Sequence, residues 1–526
     1  MNERARIERG SRWPVAAAVL VAAALAIRLL HVYFTERYNP LAPFLQLDAA
    51  TYDRWARALA FGGDPGPTTL MQAPAYPWFL SAIYRIFGAV PSAARSIQAI
   101  LGAVSVALVM FSTRRLFSSR AAAVAAGVLA ALYAPLIFFE GLLLPATLVV
   151  FLNALTVAIF AAGPRPGAAR ALAGGIVLGL AIAANPPNAL LLPFVLLHLA
   201  LDPRGGTKNG GGGGPDPGAP RQGRPFVRAA LVAVSGAAIA LAPVTIRNCV
   251  RTGQFIPLTT GGGVNFYIGN NPGANGYYAA PSYKGRSLGY APEEQWKRMT
   301  EIASGESGRP LGEWEVSRFW FRAGLRWARE HPLEWTALAW QKCLFFWNRY
   351  ERANVENFYF HRRFPGVLTL PLLGFGIVAP LGLLGVFLTR GRSRRLWLLY
   401  GGMLAYLATA VMFYVTARYR LPALPFLLPF AAAAIVELGD VARRRRFAEL
   451  ALLAAALGAL ALFANFTVAR DTPQGISANL VRLGDAYLSR GDTSRAGAAY
   501  LEALARDETS ERAKERLLRI EPRRSD

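Results

Sequence analysis

The sequence predicts an all-α polytopic membrane protein, and three observations carry that prediction. The chain of 526 residues is 54% hydrophobic and only 17% charged, with a mean hydropathy of +0.29, above the apolar content of an ordinary soluble domain. Apolar runs of about 20 residues, the length that crosses a hydrocarbon core of roughly 30 Å as a helix, recur along it. Short clusters of Lys and Arg separate those runs. The net charge of +25 lies in these connectors and on no separate basic domain, so it reads as positive-inside topology and argues against nucleic acid.

With Arg4, Arg6, Arg9 and Arg12 in the cytoplasm, the spans follow in order. The first, 13–34, is too long for a signal peptide and has no clear cleavage site, so it reads as a retained helix. Next come 93–111, ending at Arg114 and Arg115; 121–138, presenting Glu140; 142–162; and a shorter pair, 172–184 and 189–201, joined by Asn185-Pro186-Pro187-Asn188. A Gly/Pro-rich basic stretch over 202–223 reads as a disordered cytoplasmic loop. Span 227–246 leads outside to the largest soluble part, followed by 368–388, 396–415, a tenth span after Arg418-Tyr419-Arg420, and 450–466. That makes about eleven spans, N-terminus in and C-terminus out. The segment 73–88 is apolar, short and Pro-interrupted, which suits an interfacial or re-entrant helix.

The domain reading is an N-terminal transmembrane module over 1–246 with a first outer loop at 35–92, an extracytoplasmic region with interfacial helices at 247–366, C-terminal spans at 367–470 and a helical tail at 471–526. In the tail, Leu480, Leu483-Gly484, Tyr487, Gly491, Ala496, Tyr500 and Ala503 have the small/large spacing of one tetratricopeptide helix pair, a pattern that fails at Glu508. A single repeat buries little core alone, so the membrane domain or a partner protein is expected to cover it; an amphipathic hairpin that merely ends the chain is the plainer alternative.

This topology gathers Asp48, Glu140, the Asn185/Asn188 turn, the aromatic loop and Arg418/Arg420 at one membrane face. In "LQLDAATYDRWARAL" (45–59), Asp48 suits a helix N-cap as well as a catalytic acid, and Asp53 suits a surface partner for the neighbouring arginines. Glu140 is a lone acid in a long apolar run, costly unless interfacial or functional. Arg418 and Arg420 suit a lipid phosphate or simple snorkelling. "LTTGGGVNFYIGNNPGANGYY" (258–278) mixes glycines, amides and aromatic faces that fit a sugar, with Asn265, Tyr267, Asn270 and Asn271 as candidate substrate contacts, or a tight outer loop. No Walker, GxSxG, HExxH or Asp-x-Asp pattern appears, and the four histidines show no metal spacing; no cofactor is indicated, and a divalent metal would have no motif to hold it. Cys249 and Cys343 show no CxxC, leaving a disulfide or two separate packing residues open.

Asp48 in the first outer loop, "QAPAYPWFLSAIYRIFG", "RSIQAILGAVSVALVMFSTRRLF", "ALYAPLIFFEGLLLPATL", "GGGVNFYIGNNPGANGYY", "KCLFFWNRYE" and "ARYRLPALPFLLPFAAA" occur in that order. In this order the chain resembles bacterial membrane glycosyltransferases of the GT-C fold, the family that includes dolichyl-phosphate-mannose protein mannosyltransferase-like and aminoarabinose-transferase-like enzymes. The resemblance implies a GT-C transmembrane bundle, a polyprenyl-phosphate sugar donor, and transfer to a protein or glycan acceptor on the extracytoplasmic face of the bacterial inner membrane. It carries the catalytic acids onto Asp48 and Glu140, sets Arg418 and Arg420 near the lipid phosphate, and adds Gln72 and Tyr76 to the substrate-binding set. Two departures stand out: Asn185-Pro186-Pro187-Asn188 replaces the Arg-Pro-Asn common among relatives, and Gln72 precedes Ala73-Pro74 where aminoarabinose transferases tend to have Lys. A lipid or glycan transporter and an envelope-assembly scaffold built on the tail are the competing readings.

Overall fold

The structure, a computed structural model, describes residues 3–66, 70–163, 166–201, 223–289, 291–391, 394–466 and 471–520. The disordered loop expected over 202–223 lies outside the described residues up to position 222. Among the described residues, five helices are long and apolar enough to cross a membrane, and six shorter apolar helices accompany them; together they fall on the eleven expected runs.

The chain opens with α1 (Glu3–Tyr38), followed by two short helices, α2 (Leu47–Phe61) and α3 (Ala75–Phe87). Then α4 (Pro91–Phe117), α5 (Arg120–Leu132), α6 (Ala134–Glu140) and α7 (Ala146–Ala161) form a bundle with α1. From α8 (Ala168–Ala184) the chain turns through a 3-10 stretch, Pro186–Leu191, into α9 (Leu192–Leu201), and α10 (Gly223–Thr252) packs back along α8. The region between α10 and the next apolar helix holds α11 (Gly261–Gly269), a hairpin of β1 (Ser282–Tyr283) and β2 (Arg286–Ser287), α12 (Pro292–Ser307), α13 (Glu313–Glu330), α14 (Pro332–Trp347) and the one-turn α15 (Phe358–His361). In the hairpin Ser282 faces Ser287 and Tyr283 faces Arg286, antiparallel. Apolar helices resume with α16 (Phe375–Thr389), α17 (Trp397–Met412), the one-turn α18 (Ala417–Arg420), α19 (Leu424–Arg443) and α20 (Phe447–Asn465), and the tail forms α21 (Pro473–Leu488), α22 (Thr493–Arg506) and α23 (Glu511–Ile520).

Small residues set the closest helix contacts, as expected where lipid removes the hydrophobic drive for helix association. A Cβ at Gly175 of α8 would stand 2.0 Å from the Ala233 carbonyl oxygen of α10, so only glycine admits that approach. The opposite sides of α10 and α20 leave Leu231, Ile239, Val250, Leu452 and Leu462 exposed, which suits contact with acyl chains.

The run expected as one span over 121–138 is broken at Tyr133, which is extended between α5 and α6. Pro135 has no N–H and its ring collides with the carbonyl four residues back, so the helix cannot continue through it. Instead Ala134 donates to the Leu373 carbonyl and Leu373 donates to Leu132. This lateral pairing also explains why the run expected from 368, after a 3-10 turn at Val367–Thr369, becomes α-helical only at Phe375. The freed carbonyls of Ala130 and Ala131 accept from the Arg28 guanidinium, each at 3.2 Å.

The tail packs as a hairpin in which Gly484 lies against the Tyr500 ring, and its apolar cluster extends to Leu41, Phe44, Phe360 and Phe364. The tail thus rests on the first loop, through Leu41 and Phe44, and on α15 and the turn after it, through Phe360 and Phe364.

Candidate active site

Asp48 sits in the first turn of α2. The N-cap is Gln46, without a side-chain capping bond, so the capping role open to Asp48 in the sequence is not the one it plays. Leu47, immediately before it, has φ +47°, a left-handed conformation that costs a non-glycine residue about 1–2 kcal/mol. That kink aims Asp48 at α18. One carboxylate oxygen lies 2.6 Å from Arg418, with 16% of the Asp48 side chain and 8% of Arg418 exposed. The other oxygen accepts a long contact, 3.4 Å, from the Gln72 amide.

The pair opens onto a cavity of about 450 Å³. Its walls come from α2 (Asp48, Tyr52), the chain before α3 (Met71, Gln72), the Asn185–Pro187 turn, α11 (Gly261, Asn265), α12 (Gln295) and the stretch from Thr409 to Arg420. A mainly apolar hollow with a few convergent polar groups is the usual form of a small-molecule site. Tyr414 donates to the Asn265 side-chain Oδ1 at 2.7 Å, and burial raises the Tyr52 and Tyr414 hydroxyls far above their ordinary values, keeping both as neutral donors. Gln72 Oε1, Thr416 Oγ1 and Arg418 Nε are buried without a hydrogen-bond partner among the described residues. Unsatisfied buried polar atoms are rare in a settled core, and these three all belong to cavity-lining residues.

Arg420 lines the same cavity, but its guanidinium is held 2.6 Å from Glu351, both 3% exposed, over the Phe375 ring at 3.8 Å. Tyr133 donates to the same carboxylate at 3.2 Å. Burial pushes the Glu351 carboxyl above its usual range although Arg420 and Tyr133 pull it down. The sequence does not single out Glu351; the only signal is an acid closing the aromatic run "KCLFFWNRYE".

The structure thus brings Asp48, Gln72, Asn265, Arg418 and Arg420 together and leaves the other candidates elsewhere. Glu140 lies apart from them. It is 3% exposed and pairs with Arg28 at 2.8 Å, beside a separate small cavity that shares no residue with the Asp48 site. Gly102 makes room for it: a Cβ there would stand 2.3 Å from the carboxylate. Its physical role is to neutralise the arginine that seals the α5–α6 break.

Tyr76 is buried and donates to Gln98 at 2.7 Å, while Gln98 donates to the carbonyls of Glu140 and Leu142, a bracing contact away from the cavity. The glycine-rich segment expected to bind sugar begins as helix α11. In it, Tyr267 packs on Trp320 and donates to the Ser282 carbonyl at 2.9 Å. Asn270 takes bonds from Trp335 and Lys342 and donates to Met412, and Asn271 closes the turn after α11 by accepting from Gly273. All three are consumed by packing. Asn188 is likewise buried, bonded to Ala181 and Tyr406, whereas Asn185 faces the cavity. Asp53 pairs with Arg57 at 2.7 Å, and Cys249 and Cys343 are free thiols.

Residues 71–209 match the family model for dolichyl-phosphate-mannose-protein mannosyltransferase. Over that quarter of the chain, which includes Gln72 and the Asn185 turn, the resemblance read from the sequence is borne out. No curated protein sequence matches the chain significantly. Among solved structures, the oligosaccharyltransferase of Archaeoglobus fulgidus tethered with an acceptor peptide aligns at 14% identity over 93% of this chain and 58% of its own, with a TM-score of 0.47. ArnT from Cupriavidus metallidurans bound to undecaprenyl phosphate aligns at 14% identity over 82% of this chain and 78% of its own, with a TM-score of 0.35. The chain therefore spans less than two thirds of the oligosaccharyltransferase.

Proposed function

We propose that this protein is a membrane glycosyltransferase that moves a sugar from a polyprenyl-phosphate donor to an acceptor hydroxyl on the extracytoplasmic face of the bacterial inner membrane. The observation that carries the reading is the Asp48–Arg418 pair lining the 450 Å³ cavity, with Arg420 also in the lining and the mannosyltransferase match alongside. A carboxylate and a guanidinium facing one apolar hollow suit an amphipathic, anionic donor.

The acceptor oxygen attacks the anomeric carbon, its proton passes to Asp48, and the bond from that carbon to the phosphate oxygen breaks, leaving the electron pair on the polyprenyl phosphate. The configuration inverts. Charge moves in step: once Asp48 takes the proton, Arg418 loses its counter-charge at the moment the leaving phosphate gains one. The guanidinium that orients the base in the resting state then stabilises the leaving group in the transition state. Arg420 stays with Glu351 and contributes field in place of direct contact.

The test is transfer from a labelled polyprenyl-phosphate sugar by the protein in lipid nanodiscs supplied with envelope extract as acceptor. Asp48→Asn keeps the shape of the site and removes the base, so transfer per folded protein is expected to fall by at least about 100-fold, at the lower end of what general bases contribute, while the thermal midpoint drops because Arg418 loses its counter-charge. Wild-type rates in that variant would take Asp48 out of the chemistry.

A further inference from the structure

The tail and the loop that delivers Asp48 are joined by a continuous hydrogen-bond chain, buried at the loop end and partly buried at the tail. Leu41 N–H donates to Asn39 Oδ1 at 2.9 Å, so the Asn39 amide nitrogen is the end that faces His361 Nδ1, 3.0 Å away. His361 Nδ1 must therefore accept, which leaves the ring proton on Nε2. Nε2 lies 3.0 Å from one Glu356 oxygen and donates to it. The other Glu356 oxygen accepts from Arg482 of α21 at 2.8 Å. Burial works to raise the Glu356 carboxyl, yet His361 and Arg482 hold it down at about 2.

A second tie runs beside the first. Arg490, just beyond α21, donates to the Pro40 carbonyl at 3.1 Å, and Leu41 shares the tail's apolar cluster with Leu480, Leu483 and Tyr500. Only a few residues separate these anchors from Leu47. A left-handed leucine persists only where its surroundings over-determine it, and on its N-terminal side those surroundings are a loop tied to the tail.

We infer that the C-terminal helices position Asp48. Arg482 and Arg490, the former acting through Glu356, His361 and Asn39, hold the loop 39–46 so that Leu47 stays left-handed and Asp48 meets Arg418. Both arginines are positioning residues, and the inference rests on the reading of Asp48 as the base.

The test uses the full-length protein in nanodiscs with Arg482→Ala, Arg482→Lys and Arg490→Ala. Hydrogen exchange at the amides of 41–51 is expected to speed up about tenfold in either alanine variant, while α16 and α19 stay protected. For the labelled polyprenyl-phosphate sugar, kcat is expected to fall about tenfold with KM within about twofold, because a misplaced base slows chemistry without loosening the donor. Arg482→Lys, which keeps a cation beside Glu356, restores most of both. Unchanged loop exchange in both alanine variants overturns the inference, as does faster exchange spread over the whole membrane domain. A wild-type protein that transfers no sugar overturns the glycosyltransferase reading instead, and the exchange at 41–51 still decides whether the tail holds the loop.

Discussion

Glu140 and Arg28 meet at 2.8 Å inside the bundle, where neither reaches solvent, and the reason is the proline two residues beyond the helix break. Breaking a buried pair by removing one partner typically costs about 3–5 kcal/mol, whereas replacing both with apolar groups is often near neutral. Arg28→Met alone is therefore expected to lower the thermal midpoint in detergent strongly, and Arg28→Met with Glu140→Leu to recover about half of the loss. The recovery stays partial because the Ala130 and Ala131 carbonyls lose their donor in both variants. Glu140→Gln should weaken the fold while sparing the chemistry of the folded fraction; full stability with no transfer would return Glu140 to a catalytic role. A lone acid in an apolar run was legible in the sequence as something that needs an explanation. Its partner lies more than a hundred positions upstream and its cause is a broken helix, and neither has a local signature. Glu351 and Arg420 are likewise far apart in the sequence, and no local signature joins them.

Helix α11 carries three consecutive glycines, each costing about 1 kcal/mol of helix stability relative to alanine, and packing is what makes that tolerable. A Cβ at Gly263 would stand 1.8 Å from the Ser317 carbonyl oxygen of α13, while at Gly262 it would meet nothing within 4 Å. The two neighbours are thus expected to respond oppositely. Gly262→Ala should stabilise slightly by favouring the helix, by a few tenths of a kcal/mol up to about 1. Gly263→Ala should force α11 and α13 apart at about 1–3 kcal/mol, read as a lower thermal midpoint and faster hydrogen exchange in α13. Equal behaviour of the two variants would mean that the glycines serve the sugar contact or tight loop the sequence first suggests. Glycine, amide and aromatic content reads alike for a sugar-binding loop and for a helix pressed against a neighbour's backbone, and only the partner on α13 separates them.

Across the whole molecule the spans were legible because apolar length is a strong signal, while the boundaries that failed are those where proline and lateral pairing override it, at Tyr133 and before Phe375. Several helices span only 13–16 residues, about 20–24 Å at 1.5 Å per residue, so the bundle crosses a full bilayer only with its broken and extended connectors included. Eleven crossings would put the two termini on opposite faces, and the tail must share the face of Asp48 for Arg482 and Arg490 to reach their partners. Single cysteines at Arg120, Gly305, Arg444 and Thr509, in a chain with Cys249 and Cys343 changed to serine, check this with a membrane-impermeant maleimide on intact spheroplasts. Gly305 and Thr509 are expected to label, and Arg120 and Arg444 only after the membrane is opened. Because α20 is the one crossing between Arg444 and Thr509, labelling of both from the same side would remove that span from the count. It would also leave open which face the tail occupies unless Gly305 agrees with Thr509, since agreement between those two is what the contact between tail and outer loop requires.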